Sequence, residues 1–254
     1  MTGVLYTLKN LLSSPFAWVI SGNSVKGAGR EQNEDSISYA QDDHSAIAIL
    51  ADGVGGQNAG EVASDFLCTE LKAWFAARSK ALDSDEAEQQ LKAAITAIHN
   101  KMYQQSREQT TLAGMATTLA LVLQFRRSAI LAWAGDSRIY LLRDNMLTQL
   151  TQDHSVVEDK IRYGELTRSE AQDHPMSNLI TSTIGGKLRI PHLGLKTIAL
   201  EKRDLLLLVS DGISGVLNPE EIKNYLSQGV DALIRAAQEA HSLDDCSVII
   251  VSVG

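Results

Sequence analysis

The stretch AIAILADG, residues 46–53, combines an apolar run with an acidic residue and a glycine directly at its end. A second stretch of the same kind, LLLLVSDG at residues 205–212, lies far along the chain. Short apolar runs that stop at a turn signal are typical of buried β-strands. We therefore expect two strands whose ends present the carboxylates of Asp52 and Asp211.

Three further acidic motifs lie elsewhere in the chain: Asn33-Glu34-Asp35, Gly135-Asp136-Ser137 and Leu243-Asp244-Asp245. Taken singly, such a motif is usually only a turn or a surface feature. Carboxylates brought together from distant strand ends repel one another, so crowding them is costly unless positive charge lies between them. Divalent metal ions would supply that charge. Oxygen ligands without a His or Cys cluster favour Mg²⁺ or Mn²⁺ over Zn²⁺.

The bulk composition is that of an ordinary globular protein. The 254 residues are 44% hydrophobic and 21% charged, with a formal net charge of -8. The acidic balance argues against a general nucleic-acid or anionic-membrane binder, which would show a basic stripe. The two cysteines, Cys68 and Cys246, fit no zinc or redox spacing, which favours a reducing cytoplasm.

The order of apolar and polar segments predicts an α+β sandwich within one domain over residues 1–254. Strands are expected over 18–25, 36–41, 46–51, 117–125, 128–134, 137–143, 193–199, 205–210 and 246–252, and helices over 60–77, 85–107, 219–227 and 230–241. Asp144-Asn145 is expected to form a hairpin turn. Residues 1–19 are expected to form an N-terminal extension with an amphipathic helix over roughly 4–13, and the apolar stretch over 4–20 is too short and interrupted to span a bilayer. A polar insertion over about 153–185 is typical of a mobile flap.

Taken in order, the acidic motifs and their neighbours resemble those of the metal-dependent serine/threonine protein phosphatases of type 2C, particularly the compact bacterial members. The matching segments are GREQNED at 29–35, ADGVGG at 51–56, GEVAS at 60–64, ATT at 116–118, AGDSRIY at 134–140, LTQDHS at 150–155, VSDGI at 209–213 and DDCSV at 244–248. The resemblance runs from about residue 20 to 252. It implies a four-layer α/β/β/α sandwich, in which two mainly antiparallel sheets lie between helix pairs.

The resemblance also assigns metal ligands. Asp52 would bridge two Mn²⁺ or Mg²⁺ ions, and Gly53 would offer its backbone carbonyl to one of them. Asp211 and Asp244 would complete the first ion, and Glu34 would bind the second, largely through water. Two such ions can share a water and lower its pKa, so that a bridging hydroxide attacks phosphorus near neutral pH.

Further roles follow from the same resemblance. Asp136 would help to hold a weaker third ion, together with a flap acid that the sequence does not single out. Arg30 would bind the substrate phosphate, since its planar fork suits two phosphate oxygens; outside this motif a surface salt bridge would be the simpler interpretation. Arg138 is expected to pair with a carboxylate that braces the site. Thr117 and Thr118 are expected to satisfy buried strand ends.

The chain departs from the family pattern at two positions beside the site. Val54 stands where animal members have a histidine, so no general acid can come from that side chain. Asp245 stands where the family usually has asparagine, which adds a carboxylate beside Asp244. Neither change removes a predicted ligand, and an active enzyme is expected.

The leading hypothesis is a bacterial phosphatase that acts on phosphoserine and phosphothreonine in proteins. Its partners would be phosphorylated proteins and a Ser/Thr kinase pathway, and it would work as a cytoplasmic monomer. One alternative is a catalytically weak phosphoprotein-binding regulatory domain, and another is a phosphatase of small metabolites. Lys160, Arg162 and Arg168 in the flap either attract phosphorylated segments or form a solvated helix face.

Overall fold

The computed structural model describes residues 18–54, 59–78, 84–172 and 174–254. The predicted helix over 4–13 lies outside the described residues. The strands are β1 Trp18–Val25, β2 Asp35–Gln41, β3 Ser45–Val54, β4 Ala116–Thr117, β5 Leu119–Phe125, β6 Ser128–Ala134, β7 Arg138–Arg143, β8 Met146–Gln149, β9 Ile184–Gly185, β10 Gly194–Ala199, β11 Leu205–Val209 and β12 Cys246–Val253. The helices are α1 Ala59–Ala77, α2 Ser84–Glu108, α3 Val156–Arg162, α4 Arg168–Gln172, α5 Asp211–Ser214, α6 Pro219–Leu226 and α7 Val230–Glu239.

Two antiparallel sheets stack face to face. Within the described residues, one sheet has the order β1-β12-β11-β7-β8, and the other runs β10-β6-β5-β3 with β2 on the far side of β3. The short strands β4 and β9 extend the second sheet beyond the end of β5. Every strand pair is antiparallel, and β12 lies between β1 and β11.

Strand β3 is buried on both faces, which explains its continuous apolar sequence. Ile47 and Ile49 face the layer formed by α1 and α2, whereas Ala48 and Leu50 face the other sheet. The alternation of side chains along a strand thus serves two cores at once.

The hydrophobic core consists of three clusters, which fill the spaces between the four layers of helices and sheets. Leu50 and Val122 of one sheet pack between the sheets against Leu208 and Ile249 of the other. A second cluster lies under α1 and α2, and a third lies under α6 and α7. This arrangement confirms the predicted α/β/β/α sandwich.

The long helices α1 and α2 bury a face that repeats every three to four residues. In α1 that face holds Ala63, Leu67, Leu71 and Phe75. Helix α6 begins at a capping box, in which Asn218 accepts backbone N–H groups and Glu221 accepts the N–H of Asn218. No helix in the described part of the chain is both long and apolar enough to cross a membrane.

The predicted strand over 117–125 is wrong in one detail, because it is broken at Thr118. The N–H of Thr118 still donates to the carbonyl oxygen of Asp52 at 2.8 Å, but the Asp52 N–H donates to the side-chain Oγ1 of Thr118 at 2.9 Å instead of returning the bond to its carbonyl. The predicted turn at Asp144-Asn145 is confirmed: both residues have positive φ, 50° and 63°, as the hairpin joining β7 and β8 requires.

Candidate active site

The predicted site residues come from both sheets. Asp52 lies near the end of β3, with Asp35 as its partner across the β2–β3 pair. Asp211 follows β11 at the start of α5, and Asp244 lies two residues before the start of β12. Asp136 lies in the turn between β6 and β7. The antiparallel topology thus delivers carboxylates from four turns and strand ends to one end of the sandwich.

The backbone at Asp52 is fixed by the two predicted structural threonines. The Asp52 N–H donates to Oγ1 of Thr118 at 2.9 Å, and the Asp52 carbonyl accepts from Oγ1 of Thr117 at 2.9 Å. The hydroxyl of Thr118 is also 2.7 Å from that of Ser137, next to Asp136. A hydrogen-bonded chain therefore links the backbone of Asp52 to the turn that carries Asp136.

The carboxylates are close enough to raise one another's pKa. Burial raises the pKa of Asp52 well above its usual range, and the charges of Asp35, Asp211, Asp136 and Asp244 raise it further. Burial also raises the pKa of Asp211, with Asp244 as the next cause, while a hydrogen bond with Asp52 opposes the increase. These carboxylates thus lie in a common electrostatic field.

Asp136 shows the same crowding. Burial and the charges of Asp211 and Asp153 raise its pKa to about 7, although Arg138 opposes the increase. Arg138 donates from Nη2 to Oδ2 of Asp153 at 2.7 Å and from Nε to the same oxygen at 2.9 Å, which is the predicted pairing with a carboxylate. Asp153, which precedes the flap helices, therefore contributes charge to Asp136 and was not singled out from the sequence.

Arg30 and Asp244 form a bidentate pair. Nε and Nη2 of Arg30 lie 2.7 and 2.6 Å from the two Asp244 carboxylate oxygens, and Nη1 lies 3.6 Å from Oε2 of Glu34. The hydrogen bond with Asp244 holds the pKa of Arg30 above its usual value. The predicted phosphate-binding cation and a predicted metal ligand are therefore direct neighbours.

The pair with Arg30 occupies the carboxylate of Asp244, which is also a predicted metal ligand. Among residues 18–54, 59–78, 84–172 and 174–254, no three His, Cys, Asp or Glu side chains stand close enough to hold a single ion as they are placed. As placed, Asp244 is paired with Arg30 and does not join Asp52 and Asp211 in such a group within the described residues.

The donor set nevertheless fits a hard divalent cation. It consists of oxygen atoms, and positive charge would relieve both the burial and the mutual repulsion of the ionised carboxylates, which together raise the pKa of Asp52 and Asp211. Within the described residues, Oδ1 of Asp211 is buried without a hydrogen-bond partner, so it is an acceptor available to a cation.

Gly53 is required by close packing. A Cβ atom placed there would lie 2.3 Å from the carbonyl oxygen of Gly60 at the start of α1. The Gly53 N–H donates to the carbonyl oxygen of Glu34 at 3.0 Å, and Ser64 donates to the same oxygen at 2.6 Å. Glu34, the end of β3 and the start of α1 are thus tied together, and a side chain at Gly53 would separate them.

Two acids to which the sequence analysis assigned no metal, Asp35 and Asp245, are buried beside the predicted ligands. Asp35 is 7% exposed, its Oδ2 is buried without a hydrogen-bond partner among the described residues, and burial raises its pKa well above the usual range. Asp245 is 2% exposed and accepts two backbone N–H groups, from Gly27 and Glu34. The departure from asparagine at Asp245 was the sequence signal for the second of these.

Backbone hydrogen bonds join the two ends of the flap segment. The N–H of Val156 donates to the carbonyl of Leu179, and that of Thr181 donates to the carbonyl of His154. The three basic side chains of the segment pair within it: Arg162 with Asp159, Lys160 with Glu165 and Arg168 with Glu158. These contacts favour a solvated helix face over a free cationic surface.

The sequence profile of the Protein phosphatase 2C family matches residues 26–246. The chain belongs to this family. All of the carboxylates discussed above lie within the matched residues, as does Arg30.

Several members of the protein phosphatase 2C family are similar to this chain along nearly its whole length. The protein phosphatase PhpP of Streptococcus pneumoniae is 36% identical over 236 residues, which cover 89% of this chain and 94% of PhpP. The serine/threonine phosphatase of S. agalactiae superposes with a TM-score of 0.85 at 32% identity, covering 92% of this chain and 98% of that one. The catalytic domain of the phosphatase PstP, in complex with two manganese ions, has a TM-score of 0.81 at 31% identity and covers 94% of this chain and 99% of its own.

Proposed function

We propose that this protein is a metal-dependent phosphatase that hydrolyses phosphoserine and phosphothreonine in bacterial proteins. The observation that carries the proposal is the arrangement of the site: carboxylates from both sheets lie in one electrostatic field beside the exposed Arg30, which pairs with Asp244 through two hydrogen bonds and lies 3.6 Å from Glu34. Family membership and the names of the relatives, which are serine/threonine phosphatases, support the same reaction class.

The predicted ligand set is retained as part of this proposal. Asp52, Gly53, Asp211 and Asp244 would hold one ion, and Asp52 with Glu34 would hold a second. When bound, Mn²⁺ or Mg²⁺ supplies Lewis-acid charge and lowers the pKa of a water at the site. The two manganese ions of the PstP complex favour Mn²⁺.

Asp136 would take part in a third, weaker ion site. Asp153 is a candidate partner, because its charge is among the causes that raise the pKa of Asp136, after burial and Asp211. The flap acids Asp159, Glu165 and Glu158 instead pair with flap cations.

The chain's own residues prepare the reaction in three ways. Arg30 would leave Asp244 and bind two oxygens of the substrate phosphate, which a planar guanidinium suits. The exchange would also free Asp244 for an ion. The Thr117, Thr118 and Ser137 hydroxyls would keep the Asp52 and Asp136 backbones at fixed separation.

Phosphorylated proteins are the proposed substrates, opposed by a Ser/Thr kinase, and the protein would act as a monomer in the cytoplasm. We take residues 1–254 as one phosphatase domain, of which about 20–252 match the family and about 153–185 form the flap. Sedimentation at several protein concentrations tests the oligomeric state: a rising sedimentation coefficient would contradict a monomer.

The decisive test is the rate of phosphate release from a phosphothreonine peptide with Mn²⁺. Wild-type protein is expected to be active and Asp52→Ala inactive, whereas Asp204→Asn, which changes a buried aspartate paired with Arg143, should keep its activity per folded molecule. Equal rates for wild type and Asp52→Ala would refute the assignment. Preference for small phosphate esters over the peptide would favour the metabolite phosphatase, and Mn²⁺ binding without turnover would favour the regulatory domain.

A further inference from the structure

One buried carboxylate joins the two ends of the loop between β1 and β2. Oδ1 of Asp245 accepts the N–H of Gly27 at 2.8 Å, and Oδ2 accepts the N–H of Glu34 at 2.7 Å. Asp245 lies 218 and 211 positions away from these residues in the chain. Both contacts therefore fix the loop against the segment that precedes β12.

The loop that is held in this way carries two of the proposed functional side chains. Arg30 lies between the two anchored N–H groups, and Glu34 is itself one of the anchored residues. The Arg30 N–H donates to the carbonyl of Gly27 at 3.2 Å, and the Gly29 N–H donates to the carbonyl of Leu243 at 2.9 Å. The position of Arg30 thus depends on the same segment that holds Asp245.

The loop packs closely against residues 243–245 at this contact. A Cβ atom at Gly27 would lie 2.3 Å from the backbone carbon of Asp244, and one at Gly29 would lie 3.0 Å from the carbonyl oxygen of Leu243. Backbone therefore packs directly on backbone where the loop crosses residues 243–245. A small movement of Asp245 would be passed on to the loop.

Only a carboxylate can make both hydrogen bonds. An ionised aspartate offers two acceptor oxygens, whereas an asparagine offers one oxygen and a donor NH₂ group. Asparagine at this position would meet one of the two N–H groups with its own donor. The resemblance predicts asparagine at this position. The two N–H groups that Asp245 accepts explain why the chain has aspartate there.

We infer that Asp245 is a positioning residue, which sets Arg30 and Glu34 at the right separation by holding both ends of their loop. This inference rests on the proposed function. Asp245 acts through the loop and does not touch the substrate. Its charge also lies near the Arg30 guanidinium and contributes, after Asp244, to the increase in the pKa of Arg30.

The test is a double-mutant cycle between Asp245→Asn and Arg30→Ala, measured as kcat/KM for a phosphothreonine peptide with Mn²⁺. Loss of one hydrogen bond to a charged group predicts a fall of about tenfold in kcat/KM for Asp245→Asn. In the Arg30→Ala background the same change is expected to cost at least threefold less, because part of its effect passes through Arg30. Since asparagine is the family's usual residue here, the variant should fold.

The matched control is Asp204→Asn, which also removes a buried carboxylate that accepts a backbone N–H, that of Glu201 at 2.7 Å. It should lower the melting temperature and leave kcat/KM per folded molecule unchanged. Equal losses for Asp245→Asn in both backgrounds, or a kcat/KM within twofold of wild type, would overturn the inference.

Amide hydrogen exchange separates this inference from the proposed function. Asp245→Asn should reduce protection at Gly27 or Glu34, while the amides of β12 keep theirs. If the wild type shows no phosphatase activity, the proposed function fails, and the exchange measurement still decides the inference. Unchanged protection at both amides would refute it.

Discussion

Replacing Asp136 by asparagine should change how the stability of the metal-free protein depends on pH. Burial and the charges of Asp211 and Asp153 raise the pKa of Asp136 from its ordinary value of 3.8 to about 7. Asparagine has nearly the same shape and no charge. The variant Asp136→Asn therefore removes the cost of ionising this buried group.

The sign and size of the effect follow from proton binding. Between pH 3.8 and about 7 the folded state holds a proton on Asp136 that the unfolded state has lost, so the free energy of unfolding falls as the pH rises. From pH 5 to pH 8 this amounts to roughly 2–3 kcal/mol, at about 1.4 kcal/mol per pKa unit. In a chain of this length the corresponding change in melting temperature is about 5–10 °C.

The assay is thermal or urea unfolding of both proteins in a chelator at pH 5 and pH 8. His154, whose pKa burial lowers to about 4, opposes the trend of Asp136, but it is present in both proteins and cancels in the comparison. The free energy of unfolding of Asp136→Asn should rise relative to that of the wild type as the pH increases. Asp204→Asn, which loses an ion pair with Arg143, should be less stable than the wild type at both pH values. A difference between wild type and Asp136→Asn that is equal at pH 5 and pH 8 would contradict the electrostatic account.

Further predictions concern activity and packing. Asp211→Asn should lower kcat on the order of a hundredfold, because a ligand oxygen loses its charge. The melting temperature of the same variant in a chelator should rise. A kcat near that of the wild type with Mn²⁺ would argue against a ligand role for Asp211. Arg30→Lys should raise KM for the phosphopeptide about tenfold with a smaller effect on kcat, because an ammonium cannot make the bidentate contact. An unchanged KM would exclude phosphate binding by Arg30. Gly194→Ala places a Cβ 2.1 Å from the Trp133 ring and should cost about 1–3 kcal/mol in the free energy of unfolding with KM unchanged, as urea denaturation and steady-state kinetics would show.

The secondary structure was largely predictable because its signals are local. Helix α1 was expected over 60–77 and spans Ala59–Ala77, and β3 was recognisable from its continuous apolar run. The break at Thr118 was not predictable, since it depends on hydrogen bonds to Asp52, which lies 66 positions earlier. Tertiary contacts of this kind leave no periodic pattern in the sequence.

The site was predicted as a set of residues but not as an arrangement. The acidic motifs and the resemblance named Asp52, Asp211 and Asp244 as members of one site, and in the structure burial raises the pKa of Asp52 while the charges of Asp211 and Asp244 raise it further. The pairing of Arg30 with Asp244, 214 positions apart, is decided by how β1 and β12 lie side by side. No local pattern reports which carboxylate a given arginine will meet.

The place of β12 in its sheet bears on how the protein is made. This strand is the last in the described chain, yet it inserts between β1 and β11, and residues 244–245 just before it contact Arg30, Gly27 and Glu34. While the ribosome is still translating the preceding residues, β1 lacks the strand with which it pairs, and the Arg30 loop lacks its hydrogen bonds to Asp245. We therefore expect a nascent chain to remain inactive until residues up to 253 have left the exit tunnel, and folding to be slow because its closing contacts span most of the chain.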